Sequence, residues 1–69
     1  MATKYITIRV DAARYEDEDD CLVAAAETVA RERDLMGWDL DPRWEDDQRE
    51  IILLDIPAYA VRATDDTLS

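Results

Sequence analysis

Histidine and phenylalanine are absent from this 69-residue sequence, cysteine and glycine occur once each, and eight lysines and arginines stand against eighteen aspartates and glutamates. Each shortage excludes something. Without histidine, acid–base chemistry would fall to a carboxyl driven toward neutrality in a dry pocket. A chain of this size hides only about 60% of the surface its unfolded form exposes, which leaves little volume for such a pocket. The sequence therefore reads as a non-enzyme. Cys21 alone cannot close an intramolecular disulfide or a zinc site, which suits a reducing cytoplasm. With five carboxylates before it and no histidine to act as base, it reads as a small buried residue rather than a nucleophile. Gly37, the single glycine, rules out a phosphate-cradling loop. Asp17, Asp19 and Asp20 lack the glycine turn and the distal glutamate of a calcium loop, so neither metal nor cofactor is expected. No apolar stretch approaches the roughly 20 residues of a membrane span, and Met1 to Val10 has none of the character of a signal peptide. The expectation is a cytoplasmic protein with no membrane contact.

What the sequence has in excess is acid. The formal net charge is −10, while 48% of the residues are hydrophobic, well above charge-rich disordered chains. A folded domain with its acid on the surface follows. Net charge of this size governs association and partner choice while self-repulsion opposes the compact state. It also sets ten excess negative charges against direct nucleic-acid binding, so nucleic acid is a competitor rather than a ligand.

Along the chain, Ile6, Ile8 and Val10 alternate with Thr7 and Arg9, the period-two pattern of a strand with one buried face and Tyr5 outside. After the run Glu16–Asp20, Leu22, Ala25, Ala26 and Val29 fall on one helical face that Met36 continues, predicting an amphipathic helix of about four turns. An acid caps its start, Gly37 ends it, and Glu27 pairs with Arg31 on its outer side. Trp38, Leu40, Pro42 and Trp44 alternate with charged residues as a second strand, confined to an edge by Pro42. A hairpin turn over 45–48 leads to a third strand, Arg49 to Ile56, apolar on both faces and therefore central. The fold class predicted is α+β: a small two-layer β-α-β-β sandwich, strand order 1-3-2, one helix on a three-stranded sheet. Residues 1–62 form the single domain, with 58–62 a short fourth strand or a cover for the open face, and 63–69 a frayed tail.

Three acidic groups bear on function. Capping needs one or two carboxylates, and Glu16–Asp20 supplies five. Asp39, Asp41 and Glu45 form a row along the outer face of strand two, which protects that edge or serves a partner. Asp46, Asp47 and Glu50 are turn residues that could extend the same surface. Trp38 and Trp44 are placed beneath the helix, with Trp44, nearer the turn, the better candidate for a partner anchor. Ile51, Leu53 and Tyr5 point away from the helix, leaving an apolar strip for the C-terminal segment, a partner or a second copy to cover; a homodimer through the sheet fits that pattern.

In size, acidity and layout, the stretches TKYITIRVDA and YEDEDDCLVAAAETVARERDLMGWDLDPRWEDDQREIILLDIP resemble the small phage-borne anti-CRISPR proteins, particularly type I (type I-C) inhibitors that act as DNA mimics. The resemblance implies that carboxylates stand in for phosphates and fill the basic groove with which a type I Cascade surveillance complex grips target DNA, in the cytoplasm of the bacterial host. The partner-binding residues would be Asp17, Glu18, Asp20, Asp39, Asp41, Glu45, Asp46, Asp47 and Trp44. Two other readings fit the same composition: an acidic regulatory or antitoxin-like protein masking another basic partner, and a structural subunit whose acidity adapts it to salt.

Overall fold

The computed structural model describes residues 3–36 and 39–68. Strand β1 (Tyr5–Asp11) runs into a 3-10 turn at Ala12–Tyr15, and helix α1 (Cys21–Glu32) follows the acidic loop. Strands β2 (Arg43–Trp44) and β3 (Ile51–Pro57) form a hairpin, a second 3-10 turn spans Ala58–Ala60, and β4 (Asp66–Thr67) closes the sheet. The order is β2-β3-β1-β4 with every neighbouring pair antiparallel. This is the expected α+β sandwich with β3 inside, between β1 and β2. The extra strand is β4, on the far side of β1, whereas 58–60 coil as a 3-10 turn.

Alternation sorts the sheet into two unlike faces. Ile8, Ile52, Leu54 and Ile56 are at most 1% exposed and pack with Ala25 and Val29 of α1, joined by Ala12, Tyr15, Leu35 and Leu40. Fully burying an aliphatic side chain contributes about 1.5–3 kcal/mol, so this layer supplies most of the driving force.

The helix is shorter than its pattern suggests: 12 residues, a little over three turns. Asp20 is its cap, the carboxylate accepting from the N–H groups of Leu22 (3.1 Å) and Val23 (3.2 Å). It ends at Glu32, and the turn that stops it is made at Asp34 rather than at Gly37, which lies outside the described residues. Asp34 takes a left-handed conformation (φ 57°), its N–H donates to the Arg31 carbonyl, and the Leu35 N–H donates to the Ala30 carbonyl at 2.7 Å. These two bonds make a Schellman stop that turns the chain so that Leu35 is buried and Met36 is 87% exposed. Met36 thus leaves the helical face it was expected to continue, and no ion pair joins Glu27 to Arg31.

The second strand is also shorter. Asp41 is left-handed (φ 47°), and the Asp55 N–H donates to the Leu40 carbonyl, one residue off the register set by Arg43↔Leu53 and Trp44↔Ile52. A bulge at Asp41-Pro42 therefore limits the ladder to two residues and bends the edge. Trp38 lies outside the described residues.

The open face carries ions where an apolar strip was expected. Leu53, 8% exposed, has Arg9 and Arg43 as its two cross-strand partners, whose aliphatic stems can cover it while the guanidinium groups reach carboxylates. Leu53 thus has flanking cover from its own sheet, while Tyr5 of the expected strip is 47% exposed. The segment beyond Arg62, read in the sequence as a frayed tail, pairs with β1 through β4, and Asp65 is bound by Arg33.

A left-handed aspartate carries a steric cost that glycine does not. Replacing Asp34 with glycine should therefore raise unfolding stability by about 0.5–1 kcal/mol in urea titration, with no change in structure. A loss of stability would mean that the aspartate side chain contributes more than the backbone turn.

Candidate partner-binding surface

The sheet brings two acidic loops to one end of the molecule. Strand β1 finishes at Asp11, which is in register with Ile51, the first residue of β3. The chain that leaves β1 and the hairpin that feeds β3 are therefore neighbours, tied by the Ala12 N–H donating to the Glu50 carbonyl at 2.9 Å. Residues 11–20 contain Asp11, Glu16, Asp17, Glu18, Asp19 and Asp20 against Arg14. Residues 45–50 contain Glu45, Asp46, Asp47 and Glu50 against Arg49. The two segments hold ten carboxylates and two arginines, so eight of the ten excess negative charges lie at this end.

The two loops are shaped by local bonds. Asp11 accepts from Ala13 N–H (2.9 Å), Asp20 caps α1, and Asp46 accepts from Gln48 N–H (3.0 Å), with Arg49 left-handed at the close of the hairpin (φ 57°). Glu16, Asp17, Glu18, Asp19, Asp47 and Glu50 are exposed and make no side-chain ion pair among the described residues. Between the loops lies a groove of about 360 Å³. Ala12, Ala13, Cys21, Trp44 and Ile51 give it apolar walls, and Asp11, Glu16 and Glu50 stand at its sides. The Arg49 guanidinium lies over the Trp44 ring, 6.0 Å from its centroid. The Cys21 thiol donates to the Tyr15 carbonyl (3.2 Å).

Of the nine residues expected to bind a partner, the fold gathers Asp17, Glu18, Asp20, Asp46, Asp47, Trp44 and Glu45 at this end. Asp20 is engaged as the helix cap. Glu45 is bound by Arg9, with Nε 2.6 Å from Oε2 and Nη2 2.9 Å from Oε1. Trp44 is half-buried, packed on the core and bordering the groove. Asp39 and Asp41 sit at the other end of the hairpin, beside Asp55, four residues or roughly 13 Å along β3 from Ile51. Asp39 folds back onto the Asp41 N–H (3.0 Å), and Asp41 faces Arg43 at 3.4 Å. The straight row of Asp39, Asp41 and Glu45 does not form, because the bulge breaks the alternation it needs. Glu16, Asp19 and Glu50, seen in the acidic groups but not among the nine, join this end, as do Asp11 and Arg49, which the sequence pattern did not single out; what unites them is that β1 ends where β3 begins.

Arg33 and Arg43 are committed elsewhere, and of the ten carboxylates at this end only Glu45 has an ion pair, to Arg9, among the described residues. Arg43 forks onto Asp55 (3.1 Å to each oxygen), which also accepts from the Thr7 hydroxyl at 2.6 Å. Arg9 reaches Asp66 as well as Glu45. Arg33 forks onto Asp65 at 2.6 and 2.7 Å with both side chains 9% exposed, and Asp65 further accepts from the Arg62 N–H (2.6 Å). The hydrogen bond from Arg43 holds the Asp55 carboxyl below the usual carboxylate range, and that from Arg33 does the same for Asp65. No group of histidine, cysteine or carboxylate side chains among the described residues is arranged to hold a metal ion, and no helix among them is long and apolar enough to cross a membrane.

No family model matches this chain, and neither a curated protein nor a solved structure matches it.

The two depressed carboxyls fix the sign of an acid response. A group whose pKa is lower in the folded chain contributes stability above its unfolded value, near 3.9 for aspartate, and loses it as pH falls through the folded value. The melting temperature should therefore fall below about pH 4. Asp65→Asn should be markedly less stable than the parent at pH 7, the gap narrowing as pH is lowered through that range in thermal melts. A gap independent of pH would show that the Asp65 charge contributes nothing.

Proposed function

We propose that this protein is a DNA mimic of the anti-CRISPR kind, which seats its acidic end in the basic groove where a type I Cascade complex binds target DNA. The observation that carries the reading is the concentration of eight of ten excess charges in two adjoining loops. A basic groove releases condensed counterions when phosphates fill it, and an array of fixed carboxylates draws on the same electrostatic term. The choice of a CRISPR effector as the basic partner rests on the resemblance in size, acidity and layout.

Within this reading Asp17, Glu18 and Asp47 are the contact carboxylates of first importance, being exposed and unspent on caps or ion pairs. Glu16, Asp19 and Glu50 extend the surface. Asp39 and Asp41, at the opposite end, contribute little.

The test is a gel-shift competition between this protein and labelled target duplex for a purified type I-C Cascade complex at two salt concentrations. The wild type should remove the shifted band, and higher salt should restore it. Asp17→Lys/Glu18→Lys/Asp47→Lys should weaken competition by at least about tenfold, whereas Asp39→Lys/Asp41→Lys should compete nearly as well as the wild type. An undisturbed band with folded wild-type protein, or equal losses from both charge reversals, would sink the proposal.

A further inference from the structure

The groove at the acidic end differs from a bare acidic patch because it offers an aromatic face, and that face already carries a cation. At about 360 Å³ it lies at the small end of the roughly 300–1,000 Å³ typical of ligand pockets. It is suited to a single side chain more than to an extended ligand. Its apolar walls would accept an aliphatic stem, Trp44 presents the electron-rich ring, and Glu16 and Glu50 are carboxylates with no ion pair among the described residues. The combination matches a guanidinium, which stacks flat on an indole and forks onto carboxylates; a lysine ammonium does only the second well. A nucleobase could also stack on Trp44, but the surrounding carboxylates repel the phosphates it would bring.

The resident cation identifies the chemistry and its weakness permits exchange. Arg49 lies 6.0 Å from the Trp44 centroid, at the outer limit of a cation–π contact, and forms no ion pair among the described residues. From these observations we infer that the groove receives one arginine side chain of the protein partner, with Arg49 as a loosely held placeholder that is displaced on binding. This rests on the reading that the acidic end engages a basic protein surface, and adds to it a specific socket within a diffuse field.

The socket can be tested without the effector. Isotope-labelled protein, as wild type, Arg49→Ala and Arg14→Ala, would be titrated at low salt with a tri-arginine peptide and with its uncharged citrulline counterpart, followed by amide and indole resonances. Arg14 is the other exposed arginine of this end, so the two variants carry the same net charge. Expected are shifts centred on the Trp44 indole and on Ala12, Ala13 and Ile51, no response to citrulline, and roughly three- to fivefold tighter binding by Arg49→Ala than by Arg14→Ala. Should Arg49→Ala fail to fold, Glu50→Gln compared with Glu27→Gln on the helix gives a second contrast, only the former weakening the peptide. Equal affinities within each contrast, or shifts confined to residues 16–20, would overturn the socket. Competition for the effector without these contrasts would remove the socket alone. The contrasts without competition would leave the socket standing and take down the mimicry.

Discussion

Self-repulsion is the constraint around which this chain is organised, and three arginines manage it. Arg9, Arg33 and Arg43 each engage carboxylates distant in sequence: Glu45 and Asp66, Asp65, and Asp55. The first and third lie on the open face of the sheet, where β1, β2, β3 and β4 would otherwise confront one another with unpaired acids. The second binds the segment after Arg62 to the end of α1, its guanidinium also donating to the Ala60 carbonyl at 2.9 Å. Isolated exposed ion pairs contribute little, but forked arginines joined across a sheet, and the Arg33–Asp65 pair with little exposure, belong to the stronger class. These commitments balance the body of the molecule. Outside the two acidic loops the net charge is −2, so nearly all of the imbalance is left at one end.

That distribution explains which parts of the fold could be read from residues alone. Period-two alternation in 5–11, the doubly apolar run 51–56 and the 3.6-residue pattern of α1 are signals of burial, and burial is what orders this sheet. The boundaries were harder because they depend on backbone choices by residues of no special type. Asp34 and Asp41 adopt left-handed conformations that the pattern assigns to Gly37 or to regular strand. The C-terminal strand has no hydrophobic alternation at all. It is held by Leu68 N–H donating to the Thr7 carbonyl and by the ionic contacts of Asp65 and Asp66, none of which has a periodic signature. The candidate surface was legible as composition and not as geometry. Three acidic groups could be seen in the sequence, but which two adjoin follows from the register of Asp11 with Ile51, and the neutralisation of Glu45 follows from an arginine 36 positions away.

A chain with one glycine has to make its tight turns with other residues, and here that necessity and the acid surplus coincide. Aspartate tolerates the left-handed region better than most residues and satisfies neighbouring N–H groups with its own carboxylate. Asp11, Asp20, Asp39 and Asp46 all do the latter. Some acids therefore serve the fold, and counting acids overstates the number available to a partner. Of the acids with no such duty among the described residues, Glu27 and Glu32 lie on α1, while Glu16, Asp17, Glu18, Asp19, Asp47 and Glu50 are clustered at the end where the structural acids have already fixed the loops.

That fixing bears on affinity as well as on shape. Binding costs free energy for every group that must be ordered, so a flexible acidic tail spends much of its electrostatic gain on its own conformational entropy. In this chain the loop after β1 starts from a capped 3-10 turn and ends in a capped helix, while the hairpin is tied to the same turn by Ala12 N–H and the Glu50 carbonyl. Charges mounted on such a frame are partly ordered before any partner arrives. Screening by salt weakens their attraction without undoing the frame, since the core beneath is apolar. Binding that vanishes with salt while the fold persists is the signature that separates a charge-presenting surface from a domain acidified to suit a saline interior, whose stability would grow with salt instead.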